Sequence, residues 1–149
     1  MKVIGNLEIM GQRSIIQFNT APASNHEYSG WISQEFVDEN VTVGQVLCFN
    51  HDTQRWKLAK ADSASTMPGR AIALDNIGSG MSGNLLRFGT LRLDSQNFDQ
   101  SFIYVSATTA GALSTTAPTT SGSIVQKIGT PVKNNVGWFD FNAATSTVA

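Results

Sequence analysis

The run Gly78-Ser79-Gly80-Met81-Ser82-Gly83 has the G-x-G-x-x-G spacing with which backbone amides cradle a dinucleotide pyrophosphate. That chemistry needs a strand leading in and a helix leading out, because the helix N-terminus holds the phosphate charge. Here Asn84-Leu85-Leu86-Arg87-Phe88-Gly89 follows, which reads as a strand. No acid stands about 20 residues further on to take a ribose hydroxyl, since Asp94 and Asp99 fall short. The run is expected to be a flexible hairpin loop, not a nucleotide site.

Cys48 and His51 have ligand-like spacing, with His26 elsewhere. Structural zinc wants four N/S ligands, and the single Cys and two His of this chain fall short of that set. Cys48 is expected to be a small buried thiol in a strand, and His51 a polar residue in the turn Asn50-His51-Asp52-Thr53. Glu35, Asp38 and Glu39 form an acidic cluster that could act as acid and base or hold Ca²⁺. Calcium wants more oxygen donors, so the cluster reads as a solvated face. Serine is plentiful, but no G-x-S-x-G elbow surrounds one. Asn40-Val41-Thr42 matches a glycosylation sequon by chance. The expectation is no catalysis, no metal and no cofactor.

The aromatic residues remain. Trp31, Trp56, Trp138, Phe139 and Phe141 could line a carbohydrate site. For Trp56, Phe139 and Phe141 packing in a core is the stronger reading. Trp31 follows Ser29-Gly30 in a polar neighbourhood and reads as an interface anchor.

Positioning these groups falls to strands, because helical periodicity is nearly absent. Short apolar runs alternate with Gly, Asn, Asp, Ser and Pro clusters, the pattern of a sandwich or barrel. Arg55–Lys60 alternates with Trp56 and Leu58 inward, and Arg70–Leu74 places Ile72 and Leu74 on one face. Gln45–Phe49 and Phe102–Val105 are apolar on both faces, so they are either central or covered by a neighbouring subunit. Further strands are expected at Leu85–Leu93, Ile124–Gly129 and Gly137–Phe141. The Thr/Ala/Ser-rich stretch from 106 to 123 reads as a low-charge loop with one short strand near Ala112–Ser114. The one helix candidate is Ser33–Asn40, capped by Ser33. Residues 1–36 read as an N-terminal arm, with strand-like runs at Val3–Ile9 and Arg13–Phe18 and a linker over Asn19–Ser29. Residues 37–149 read as the main domain. The expected fold is all-β: a compact antiparallel β-barrel or sandwich with an N-terminal β-strand arm.

Composition narrows the class further. Only 14% of the 149 residues are charged, against roughly 25% in ordinary soluble domains. Low charge suits large protein–protein contacts, where desolvating charges is costly. The net charge of −1 argues against nucleic acid, whose phosphates need clustered Lys and Arg. Residues 1–40 carry a net −3 and the remainder +2, a hint that the two parts meet different surroundings. No run approaches the ~20 apolar residues that span a bilayer, and no signal-peptide core opens the chain. Synthesis in a cytoplasm, with no membrane association, is expected.

From about Val41 to Asn142 the chain resembles small β-domains of tailed-phage capsid decoration (cement) proteins and head or tail fibre proteins. The resemblance is carried by an ordered series. It runs from Val43-Gly44-Gln45-Val46-Leu47 to Trp56-Lys57-Leu58-Ala59-Lys60-Ala61-Asp62 and Gly69-Arg70-Ala71-Ile72-Ala73. Phe88-Gly89-Thr90-Leu91-Arg92, with its Gly inside a strand, and Phe102-Ile103-Tyr104-Val105-Ser106 follow. The series continues through Gly111-Ala112-Leu113-Ser114, Pro118 and Gly122–Gly129 to Trp138-Phe139-Asp140-Phe141. Gly5-Asn6-Leu7-Glu8-Ile9 is similar to the first strand of an anchoring arm.

This resemblance implies a non-enzymatic virion structural protein, a decoration protein or short head fibre on the particle surface. It implies a homotrimer, with the major capsid protein or another virion protein as partner and the N-terminal part as the attachment. Ile16, Phe18 and Trp31 are the expected anchors. The alternative is a receptor-binding tail-fibre tip that recognises a host-surface glycan or protein.

Overall fold

A computed structural model of the chain describes residues 17–99, 102–141 and 144–149. Ile16 and both strand-like runs of the expected arm, save Gln17 and Phe18, lie outside the described residues. Among the described residues there are eleven strands: β1 (Tyr28–Phe36), β2 (Val46–Asn50), β3 (Arg55–Leu58), β4 (Ala71–Ala73), β5 (Ser82–Arg92), β6 (Ile103–Val105), β7 (Leu113–Ser114), β8 (Ile124–Val125), β9 (Lys127–Lys133), β10 (Val136–Asp140) and β11 (Ser146–Thr147). Nine of them form one curled, half-barrel sheet in the order β3-β2-β4-β5-β10-β9-β6-β7, with β1 also paired to β5, while β8 and β11 make a small ribbon. All the pairings between strands are antiparallel. The fold is the expected all-β one.

Strand β5 organises the sheet because its length lets it serve three neighbours. Its whole length pairs with β1, from Tyr28↔Leu91 to Phe36↔Ser82. The opposite edge is shared, with β4 at Leu85 and Leu86 and β10 from Phe88 to Arg92. Near the middle Gly30 and Gly89 face one another. A Cβ on Gly89 would run into the Ser29 carbonyl oxygen and come within 2.6 Å of the Gly30 Cα. The strands approach this closely only because both residues lack side chains, and Gly89 holds φ at 133°, open to glycine and costly for other residues.

Two buried clusters lie on opposite faces of β2, β4 and β5. Val46, Cys48, Ile72, Leu86 and Leu91 point to one, joined by Phe98, Ile103, Val105, Ile128 and Phe139. Leu47, Ala71, Ala73 and Leu85 point to the other, with Val37, Val41, Trp56 and Ile77. Successive residues alternate between faces, so this wall must be apolar throughout. The double-sided apolarity of Gln45–Phe49 therefore reflects a central position, and no second subunit is needed to cover it. Gln126, fully buried, spans the first core and clamps Gly69. Its Nε2 donates to the Gly69 carbonyl at 2.9 Å and its Oε1 accepts from the Gly69 N–H at 2.7 Å.

Each strand expected between residues 45 and 141 is present, with bounds shifted by up to three residues, and Ile124–Gly129 divides into β8 and the start of β9. The G-x-G-x-x-G run joins β4 to β5 as a hairpin loop and leads into a strand. Two expectations are corrected. Ser33–Asn40 is not a helix: its first four residues complete β1, and Val37 bridges to Trp56. The doublet Phe36-Val37 imitates a helical face, but Val37 is fully buried while Phe36 is 56% exposed, as a strand places neighbours on opposite sides. The only helical turn among the described residues is a single 3-10 turn at Ala64–Thr66, capped by the Ser63 hydroxyl. The second correction concerns the expected linker Asn19–Ser29, of which residues 19–27 are a tethered loop and Tyr28 and Ser29 already belong to β1. Arg92 donates to the carbonyls of Ala23 at 2.7 Å and Pro22 at 3.3 Å, Thr90 Oγ1 donates to the Asn19 carbonyl at 2.6 Å, and Asn25 Oδ1 accepts from the Asp94 N–H at 2.9 Å.

Candidate functional site

The chemically suggestive residues are dispersed among structural tasks. Glu35 lies 3.9 Å from Arg87, whose guanidinium stacks over the Trp56 ring at 4.6 Å. Asp38 accepts hydrogen bonds from Thr53 Oγ1 at 2.6 Å and Asn50 Nδ2 at 2.9 Å, and these donors hold its carboxyl below the usual range. Glu39 accepts from the Leu58 N–H at 3.0 Å. The acidic cluster thus divides among three separate sets of partners. Among the described residues no three His, Cys, Asp or Glu gather to hold a metal ion. Cys48 is buried in β2, and burial pushes its thiol pKa up, away from the reactive thiolate. His51 sits in the β2–β3 turn with its ring edge-on to Phe49, 5.1 Å away.

What the fold does gather is aromatic. Trp31 of β1 pairs in register with Phe88 of β5, so their side chains share a face. Trp138 of β10 pairs with Thr90 and adds its ring to the same side. Phe18 closes the group from the tethered loop. It lies 6.4 Å from Trp31, 5.8 Å from Phe88 and 5.7 Å from Trp138, each contact edge-on. Phe88 is 5.3 Å from both Trp31 and Trp138. Offset and edge-on geometry at these distances is favourable for rings, so the four side chains hold one another in place.

The cluster faces outward. Trp31 remains 58% exposed on this face, while Tyr28, Ile32 and Phe36 are exposed on the opposite face of the same strand, in step with Leu91 and Leu86. No residue of β1 except through backbone pairing and the Gly30 contact is locked into a core, since none of its nine residues is buried. A group of large rings held together and left partly open to solvent is the composition of a contact surface.

The structure therefore brings together two of the expected anchors, Phe18 and Trp31; Ile16 lies outside the described residues. It adds Phe88, which the sequence did not single out, and Trp138, weighed there only as a carbohydrate-site residue. Trp56 and Phe139 are core residues, at 4% and 0% exposure in the two separate clusters, and Phe141 packs against that of Phe139. Phe88 was hidden by a bulge. Register shifts between Trp31 and Ile32, so that Arg87 is an extra residue and Leu86 and Phe88 face opposite sides. Strict alternation along β5 would place them together.

No family model matches this chain, and neither the curated proteins nor the solved structures contain a match.

Proposed function

We propose that the chain is a non-enzymatic structural protein of a tailed-phage particle. In this reading it is a capsid decoration protein or short head fibre, made in the host cytoplasm and displayed on the virion surface. It attaches through its N-terminal part and the aromatic face of β1, with the major capsid protein or another virion protein as partner. The observation that carries the reading is the ring cluster Phe18, Trp31, Phe88 and Trp138, half-buried but for the exposed Trp31 and adjacent to residue 17, where the described chain begins. Large aromatic side chains at the centre of an interface supply most of its binding energy. The low charge of the chain and the ordered strand series that resembles decoration and fibre proteins support the same reading.

Homotrimerisation belongs to the proposal and rests on that resemblance, because the two-faced strands are satisfied within one chain. Deleting residues 1–16 tests the attachment. That cut spares the loop from Asn19 to Glu27, whose bonds to β5 a longer deletion would strip. The shortened protein is expected to melt as the full chain does and to lose co-sedimentation with virions. Undiminished co-sedimentation would refute attachment through this part. Light scattering should give three times the chain mass for the full-length protein, and a monomer in solution that is also monomeric on the particle would refute the trimer.

A further inference from the structure

We propose that the groove on the β9 side of Trp138 binds a neutral pyranose at the end of an uncharged glycan. The groove encloses about 330 Å³ and is lined by Lys127, Gly129, Thr130, Trp138, Asp140 and Ala144. That volume is at the low end of the roughly 300–1,000 Å³ typical of small-molecule sites, which suits a terminal sugar and excludes a bulky ligand.

Three features select the chemistry. The first is a preorganised ring. Trp138 is half-buried and is held edge-on by Phe88 at 5.3 Å and Phe18 at 5.7 Å, neither of which lines the groove. Its strand partner on the groove side is Thr130, while its partner on the cluster side is Thr90. The indole therefore stands as a fixed wall between the two. Sugar rings present a face of C–H groups that packs on the electron-rich face of such an indole.

The second feature is hydrogen-bonding capacity left unused. The side chains of Asp140 and Thr130 are exposed and have no hydrogen bond or ion pair among the described residues. A carboxylate accepts from two sugar hydroxyls, and a threonine hydroxyl both donates and accepts. A few polar groups converging beside an aromatic wall are what fixes a small polar ligand in one orientation.

The third feature sets the charge. The Lys127 ammonium lies 3.7 Å from the centre of the Phe102 ring and is engaged there by cation–π attraction. Asp140 has no such partner. Lys127 and Asp140 together leave the lining with no net charge, and so with no net attraction for an anionic sugar, so the groove suits an uncharged one.

The groove shares Trp138 with the attachment cluster, but Phe18 and Trp31 do not line it, so variants at Asp140 and at Trp31 separate the two proposals. The test is a screen of the full-length protein on an array of neutral and sialylated glycans. Hits are then titrated as free oligosaccharides by tryptophan fluorescence. Neutral glycans are expected to bind and sialylated ones not. Asp140→Ala and Thr130→Ala, both at exposed positions that leave the fold intact, should each weaken binding by about tenfold or more. Trp138→Ala should abolish it, and Trp31→Ala should leave it unchanged. If Trp138→Ala fails to fold, the Asp140 and Thr130 variants decide the matter. The proposal is overturned if no neutral glycan binds at millimolar concentration, if only sialylated glycans bind, or if Asp140→Ala binds as the parent does.

Discussion

The wall of β2, β4 and β5 and the outer face of β1, β5 and β10 are both rich in large apolar side chains, yet they are satisfied in different ways. Each side of the wall meets a core made by the same chain, and Leu47, Ile72, Leu85 and Leu86 are fully buried. On the outer face Phe18, Trp31, Phe88 and Trp138 meet one another and then solvent. Phe139 and Trp138 make the contrast within one strand, the first at 0% exposure and the second half-open beside it. The wall is closed within one chain. The outer face is self-supporting but incompletely covered, which is the state expected of a surface reserved for a partner.

The largest effect should come from the wall side. Phe139→Ala removes a fully buried ring from the larger core and should cost about 3–5 kcal/mol, read by denaturant unfolding. A cost under about 1 kcal/mol would mean that this core tolerates a cavity far better than close packing allows. Next, Gln126→Leu orphans the N–H and carbonyl of Gly69, both of which the amide now satisfies, and should cost about 2–4 kcal/mol in the same measurement. Trp31→Ala, by contrast, should change stability by only about 1 kcal/mol or less, because the side chain is mostly solvated and leaves no cavity. If Trp31→Ala proved as costly as Phe139→Ala, the outer face would be a third core and the comparison would fail.

The smallest effect is electrostatic. The Asp38 carboxyl is held below its ordinary value of 3.8, first by Thr53 and then by Asn50. Its contribution is therefore present above about pH 4 and lost as the pH falls through the depressed folded value. Asp38→Asn should be less stable than the parent by under about 1 kcal/mol at neutral pH, the pair converging in acid, with solvent screening keeping the difference small. Melting curves from pH 2 to 7 would show it, and a constant gap across that range would deny Asp38 the role.

The same contrast explains what could be read from the sequence. Alternation revealed β3 and β4, and the continuous apolar run revealed β2, because burial writes a periodic pattern into the residues that point inward. Strand β1 carries no such pattern. It is positioned by backbone pairing to β5 and by the Gly30 and Gly89 contact, so its exposed Trp31 and Ile32 stand side by side with no phase to follow. Its end therefore reads as a helix and its approach as a linker when only the residue types are considered. Phe18 and Trp31 were legible as unusual residues in polar surroundings. Their meeting with Phe88 and Trp138 was not, since a bulge at Arg87 resets the alternation on β5 and the pairs are distant in sequence.

The most direct test of the account is co-sedimentation of the full-length Trp31→Ala protein with virions lacking their own copy, with its melting temperature measured in parallel. The account predicts a melting temperature close to that of the parent together with loss of pelleting. Pelleting equal to that of the parent, with the fold intact, would contradict the claim that the aromatic face of β1 attaches this protein to its partner.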